Sequence, residues 1–191
     1  MVLWFLGKSN MTIYFITGNE NKFREAKSIL PNLKQIKLDL PEIQELDPKK
    51  IIEAKLEAAF AHHAGPFVVE DTSVVIESLG GLPGPFIKWF EKALGNEGIA
   101  KLVGSSKARV TTMLGFAREL GNTVFFEGHI EGDIVFPRGE QDFGWGPIFQ
   151  PEGRGKTFAE ISPEEKLAIS NRGQAFRKLK EFLALRGLTS K

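Results

Sequence analysis

The sequence has no cysteine and only 3 histidines. Disulfide bonds and thiolate metal sites are therefore excluded, and little imidazole is left for a zinc site. Charge of one sign is missing as well: 25 basic and 24 acidic residues leave a net charge of +1, without the basic footprint that binding duplex nucleic acid needs. Positive charge for a phosphate ligand must then be local. No stretch reaches the roughly 18 uninterrupted apolar residues of a membrane span. The run Val2-Leu3-Trp4-Phe5-Leu6 has no basic residue ahead of it and is shorter than the roughly 7–15 residues of a signal-peptide core. A soluble, cytoplasmic protein is expected. What the chain does have is apolar material: 191 residues, 42% of them hydrophobic, suffice for one domain with a sizeable core. Met11 stands directly before the first strand pattern, so residues 1–10 read as an extension, either a remnant, an upstream start or a packed apolar arm, and residues 11–191 as a single domain.

The periodicities alternate along the chain. Ile13-Tyr14-Phe15-Ile16 is a buried-strand run, followed by a helical stretch with Phe23, Ala26, Ile29 and Leu30 on one face and ended by Pro31. Ile36-Lys37-Leu38-Asp39-Leu40 alternates as a strand. Asp47-Pro48 supplies an N-cap and first-turn proline for a helix with Ile51, Ile52, Leu56, Ala59 and Phe60 on its face. Phe67-Val68-Val69 is the next strand, and this β-α-β-α-β opening implies a largely parallel core. The middle differs: amphipathic stretches cover Phe86 to Leu94 and Ile99 to Val103. Long β-type segments from Val110 to Phe116 and from Thr123 to Val135 flank the hairpin signal Gly121-Asn122 and suggest a second lobe. Ser162-Pro163-Glu164-Glu165 reads as a capping box, and a last helix uses Ala175, Phe176, Leu179, Phe182 and Leu183.

Charged groups stand at what read as strand-to-loop junctions, where open α/β sheets bind ligands. Thr17-Gly18-Asn19-Glu20-Asn21-Lys22 ends a strand and begins a helix, so backbone N–H groups, the helix dipole and Lys22 can face an anion. Its spacing is not that of a P-loop, and a corner using Gly and Asn for backbone freedom is the plain alternative. Val69-Glu70-Asp71-Thr72 places two carboxylates after a buried run, where they need solvent or a hard cation. Glu42, after the second strand, is a third carboxylate for the same site or an ordinary surface residue. The rigid segment Pro83-Gly84-Pro85 leads to Lys88 among Trp89 and Phe90, and also suits a helix entry. Gly139 to Phe149 is too glycine-rich for an element and too aromatic for a linker; its rings either stack on a base or plug the core. Lys166 and Ser170-Asn171-Arg172 lie near a helix junction, where Arg172 can donate to a base carbonyl or a phosphate, or simply be solvated.

In this order and spacing, Thr17-Gly18-Asn19-x-x-Lys22, Leu40-Pro41-Glu42, Val69-Glu70-Asp71-Thr72, Leu79 through Phe90, Phe143-Gly144-Trp145, Thr157-Phe158-Ala159-Glu160 and Glu165-Lys166 resemble the inosine triphosphate pyrophosphatases. The resemblance spans Met11 to Leu185. It implies an α/β fold, elongated and two-lobed, around a central mixed β-sheet with flanking helices. It also implies a homodimer and hydrolysis of non-standard purine nucleoside triphosphates (ITP, dITP, XTP) to the monophosphate and pyrophosphate with Mg²⁺, or Mn²⁺, as cofactor. Residue by residue, Thr17, Gly18, Asn19 and Lys22 would hold phosphates, with Lys55, Thr72 and Lys88 beside them. Glu42 and Asp71 would place the metal, and Asp71, with Glu70 and Lys22, would serve catalysis. Phe143, Gly144, Trp145 and Gly146 would flank the base, with Lys166, Asn171 and Arg172 at its oxygen-bearing edge.

Two positions depart from that family. Its members usually carry Asp where this chain has Gly146, and His where it has Asn171. Gly146 removes a carboxylate, and Asn171 keeps a donor that cannot become cationic. A nucleotide-binding protein with lost or altered catalysis is therefore the alternative. A single-stranded nucleic-acid binder using Trp89, Phe143 and Trp145 is a third reading, disfavoured by the near-zero net charge.

Overall fold

A computed structural model describes residues 11–140 and 142–188; the extension read at residues 1–10 lies outside the described residues. Strand β1 (Ile13–Ile16) leads into helix α1 (Glu20–Ile29), then β2 (Leu33–Ile36), α2 (Pro48–His62) and a ten-residue β3 (Phe67–Ile76). After β4 (Pro83–Gly84) come α3 (Ile87–Val103), β5 (Ser106–Ala117), β6 (Thr123–Ile134), β7 (Phe149–Pro151), α4 (Pro163–Ile169) and α5 (Asn171–Leu185). Gly95, at φ 64°, breaks α3 into the two amphipathic stretches that the sequence suggested.

One sheet of order β2-β1-β3-β5-β6-β7 runs through the molecule, with β4 on the free edge of β3. Among the described residues only β1 with β2 and β1 with β3 pair in parallel; β3, β5, β6 and β7 pair antiparallel in that order. The largely parallel core expected from the opening β-α-β-α-β is thus confined to one end, because the hairpin between Ala117 and Thr123 commits the long strands to antiparallel pairing. The strand expected at Ile36–Leu40 is instead Leu33–Ile36. Among the described residues its only partner is β1, which stops at Ile16, so none of them remains to pair beyond Ile36. The alternation there has another cause: Leu38 and Leu40 pack on the cluster formed by Ile16, Ile52, Leu56 and Met113.

The core has three parts. One face of the sheet, with Phe15, Val68, Leu114 and Phe116, is covered by α1 and α5 through Ala26, Phe176, Leu179 and Leu183. The other face, with Phe67, Val69 and Met113, is covered by α2 through Ile52, Leu56 and Ala59. A separate cluster at the far end joins Val74, Ile76, Val110 and Ile134 to α3 and to Ile148, Phe149 and Phe158. Strand β3 therefore runs from one apolar region to another, and its middle, Glu70–Ser73, is polar.

The helix that carries Arg172 lies directly on the sheet. A Cβ on Gly128 of β6 would come 2.7 Å from the Ala175 amide nitrogen and 2.8 Å from Gln174 Cβ, so only glycine permits this approach. Gly128 stands opposite Thr112 of β5, to whose Oγ1 Asn171 donates at 2.8 Å. We expect Gly128→Ala to cost about 1–3 kcal/mol by overpacking, read as a lower urea midpoint at unchanged m-value. A cost no greater than that of an exposed strand glycine would mean that the approach is not tight.

Candidate functional site

The cleft exists because the sheet has a gap. Strand β1 covers β3 only at Phe67 and Val68, and β4 covers it at Val74 and Val75, so between them the edge of β3 has no strand beside it among the described residues. A cavity of about 1070 Å³ opens there. Its wall includes Thr17, Gly18, Asn19, Lys22, Glu42, Lys55, Glu70, Asp71, Thr72, Lys88, Phe143, Gly144, Trp145, Lys166 and Arg172. Most residues singled out from the sequence thus share one wall. Gly146 and Asn171 are absent from it.

Glu70 and Asp71 are not at a strand end, as the sequence reading had them; they stand in the middle of β3. Successive strand residues face opposite ways, and these two carboxylates go to different partners. Glu70 lies on the α1/α5 face, its side chain 3% exposed, where Arg172 grips it with Nε–Oε2 and Nη2–Oε1 both at 2.9 Å. Lys22 Nζ adds a contact of 2.8 Å to Oε1. Arg172 also reaches Glu25 of α1 through Nη1 at 2.6 Å. Burial alone would raise the proton affinity of Glu70, but Arg172 and Lys22 outweigh it and hold the carboxyl far below its ordinary range. Glu25 is likewise held down, burial being overcome by Arg172 and Lys166. Burial works against the charge of Arg172, yet Glu70 and Glu25 outweigh it and make the guanidinium hold its proton more tightly than in water.

Asp71 faces the α2 side. Lys55 Nζ donates to its Oδ1 at 2.9 Å and to the Glu70 carbonyl at 3.1 Å. Burial raises the proton affinity of Asp71, with Lys55 opposing. Its other oxygen, Oδ2, is buried without a hydrogen-bond partner. Such an orphaned oxygen is costly unless a donor or cation meets it. Glu42, on the rim, is gripped by Lys88 Nζ at 2.9 and 3.1 Å, both side chains well exposed. No group of three His, Asp or Glu side chains able to hold a metal ion exists among the described residues. Glu70 and Asp71 face opposite ways, and Glu70 spends its charge on Arg172 and Lys22.

The turn before α1 is capped from within. Thr17 Oγ1 accepts from the Asn19 amide at 3.1 Å, and Asn19 Oδ1 accepts from the Asn21 and Lys22 amides at 2.9 and 3.1 Å. Those donors hold the corner in shape, and Gly18 faces open space. At the far end, Lys166 Nζ lies between Asp142 at 2.6 Å and Glu25 at 2.8 Å, 4.5 Å from the centre of the Phe143 ring. Trp145 lines the cleft and also packs on Phe149 and Phe158, at 5.6 and 5.9 Å, so the aromatic loop plugs the core and walls the cavity at once. Asn171 sits behind the wall: it donates to Thr112, whose hydroxyl meets that of Thr72 at 3.3 Å.

Three site carboxylates escaped the sequence reading. Glu25 lies three residues after Lys22 and Glu91 three after Lys88, the helical spacing that puts them on the same face as lysines already chosen; that signal was available. Asp142 stands next to Phe143 and carries no pattern of its own. Glu91 lines the cleft, and burial pushes its carboxyl up to about 7, with Lys22 opposing.

The unfolded chain ionises Glu91 near 4.5, so the native state holds the proton more tightly, and stability falls as pH rises from about 4.5 to about 7. Glu91→Gln removes that dependence. The melting temperature of the variant should overtake that of the parent as pH rises through this window, with the gap closing below pH 4.5; parallel curves would contradict the assignment.

The sequence matches the Ham1 family over residues 13–182. It is 43% identical over 190 residues, covering 95% of this chain and 100% of the relative, to an inosine triphosphate pyrophosphatase of Yarrowia lipolytica. It is 38% identical to one of Schizosaccharomyces pombe, covering 90% of this chain and 95% of the relative. Among solved structures, a Ham1 protein of Coxiella burnetii superposes with a TM-score of 0.70 at 25% identity, covering 91% of this chain and 99% of that one. The Ham1 protein of Staphylococcus aureus gives 0.69 at 25%, covering 90% and 97%. With the open edge of β3 and its paired charges in place, the chain belongs to the Ham1 family.

Proposed function

We propose that this protein hydrolyses non-standard purine nucleoside triphosphates, such as ITP, dITP and XTP, to the nucleoside monophosphate and pyrophosphate. One observation carries the reading: a single cleft holds lysines at one end and an aromatic loop with a buried ammonium at the other, in a chain whose close relatives bear the name inosine triphosphate pyrophosphatase. Lys22, Lys55 and Lys88 face the triphosphate from three different elements. Negative charge gathers on phosphate oxygens as water attacks, so ammonium groups held in place lower the barrier more than they stabilise the ground state.

A divalent ion, Mg²⁺ or Mn²⁺, belongs to this reading. The orphaned Asp71 Oδ2 fits it, and Glu42 lines the same cavity. Mg²⁺ typically takes only one or two protein carboxylates and completes its shell with water and phosphate oxygens, so a cluster of three acids is not required. When bound, the ion would neutralise phosphate charge and acidify water. Asp71, fixed at Oδ1 by Lys55, keeps Oδ2 for a cation or a proton and is the candidate acceptor from water. Glu70 acts differently: its oxygens are filled by Arg172 and Lys22, so it positions Lys22 rather than exchanging a proton.

At the base end Lys166 gives two of its three N–H groups to Asp142 and Glu25 and can turn the third to a purine 6-oxygen. Adenine, with an amino group there, would leave that donor unpaired, which is the basis of selectivity. The clusters at the two ends of β3 are then the lobes of one domain, and a homodimer in the cytoplasm completes the reading. The reading includes no membrane or nucleic-acid partner; the net charge of +1 gives no basic footprint for nucleic acid. No helix among the described residues is long and apolar enough to cross a membrane.

Pyrophosphate release should be measured with ITP, XTP, dGTP and ATP in Mg²⁺. ITP and XTP should be cleaved and ATP spared, and Asp71→Asn should lower kcat by on the order of 100-fold or more. Tight ITP binding with no release from any nucleotide would replace this reading with that of a binding protein.

A further inference from the structure

The cleft carboxylates given a role so far each meet a cation: Glu70 meets Arg172, Glu25 and Asp142 meet Lys166, Asp71 meets Lys55 and Glu42 meets Lys88. Glu91 does not. It lines the same cavity half-buried, and among the described residues it accepts no hydrogen bond and forms no ion pair. An acid drawn out of water in this way is costly unless a donor comes to it. The described residues supply none, which leaves the bound ligand.

The position of Glu91 narrows that donor to one part of a nucleotide. Toward the base end the carboxyl lies against Gly144: a Cβ built on that residue would stand 3.1 Å from Glu91 Oε1, with no other atom nearer. Toward the phosphate end Glu91 follows Lys88 by about one turn on the same face of α3, and Lys22 is the cation that opposes its burial. Lys166 and Arg172, proposed to stand at the oxygen-bearing edge of the base, have no such effect on it. No third acid stands with it to hold a metal ion among the described residues. A carboxylate does not serve the triphosphate, whose oxygens repel it, and between base and phosphates a nucleotide has one unit, the sugar. Ribose presents two neighbouring hydroxyl donors there. An ionised carboxylate, with two oxygens and no hydrogen of its own, can take both, and dinucleotide-binding folds use Asp or Glu on the ribose 2′-hydroxyl in this way.

We propose that Glu91 accepts from the ribose hydroxyls of the bound nucleotide, so that this chain favours ribonucleoside triphosphates over their 2′-deoxy forms. The proposal rests on the purine triphosphatase reading above and adds to it a residue that reads the sugar. dITP stays a substrate, cleaved less efficiently than ITP.

The test measures kcat/KM for ITP and dITP in Mg²⁺ with the parent, Glu91→Gln and Glu91→Leu, above the pH of about 7 to which burial pushes this carboxyl, where it is ionised. The parent should prefer ITP by on the order of 10-fold, the effect of a charge-assisted hydrogen bond made with one sugar and missing with the other. Glu91→Leu fills similar space without an acceptor and should bring the two nucleotides to parity. Glu91→Gln, whose amide oxygen accepts without charge, should fall between. The ratio is taken within one preparation, so any loss of folded protein cancels from it. A parent that cleaves both nucleotides equally would overturn the proposal. So would a Glu91→Leu variant that loses activity on both by the same factor, the mark of a carboxylate that holds a metal ion or only shapes the wall. Should the parent release no pyrophosphate from either nucleotide, the proposed function fails separately. The sugar preference is then read from the Kd of inosine monophosphate against that of its 2′-deoxy form: tighter binding of the ribo form that Glu91→Leu abolishes supports the proposal, and equal values overturn it.

Discussion

The cleft is organised by the buried pair between Arg172 and Glu70. A guanidinium at the start of α5 faces the positive end of its own helix dipole, an unfavourable place for a cation. Two carboxylates make it tenable: Glu70 from the middle of β3 in a two-bonded grip, and Glu25 from α1. Each carboxylate also has a lysine on it, Lys22 on Glu70 and Lys166 on Glu25. Three elements that share no sequence neighbourhood are thus fixed at one point, and the close approach of α5 to β6 at Gly128 sets the distance. From there charge alternates outward, Lys22 beyond Glu70 and Lys166 beyond Glu25, ending at Asp142. Buried ion pairs often contribute little net stability. Here the pairing gives placement, since the ammonium groups proposed to face phosphate and base are each held by a carboxylate that belongs to the chain.

The second constraint is topological. Strand β3 must be long enough to join two apolar clusters, but β1 covers only its beginning and β4 only its end. The uncovered middle cannot be apolar without exposing a greasy edge, and it is not: Glu70, Asp71, Thr72 and Ser73 occupy it. Alternation then divides the two acids between opposite faces, one closed by arginine, the other left with an oxygen in search of a partner. Structural charge and available charge are separated by a single step along one strand.

Much of this was legible in the sequence and some was not, for physical reasons. The turn Thr17 to Lys22, the capped helices and the hairpin at Gly121-Asn122 follow from local chemistry, and they stand where local chemistry puts them. The placement of Glu70 and Asp71 at a strand end failed because a polar pair inside a long strand looks, residue by residue, like the end of a short one; only the partner strand β5 shows that pairing continues to Ile76. The strand at Ile36–Leu40 failed because alternation reports a buried face, and a coil packed on a core has one too. Glu25, Glu91 and Asp142 lacked any signature beyond their spacing from chosen neighbours. The family resemblance puts Asn171 beside the base, yet consecutive residues at a helix start point different ways, and it turns to Thr112 behind the wall.

The most direct test of the central pair is a double-mutant cycle of Glu70→Gln and Arg172→Met, followed by urea unfolding. Each single change strips a buried charge of its main partner, leaving Arg172 to Glu25 or Glu70 to Lys22, and should cost up to about 3–5 kcal/mol, while the double variant should recover part of that loss. Single losses below about 1 kcal/mol that simply add in the double variant would contradict the claim that this pair organises the cleft.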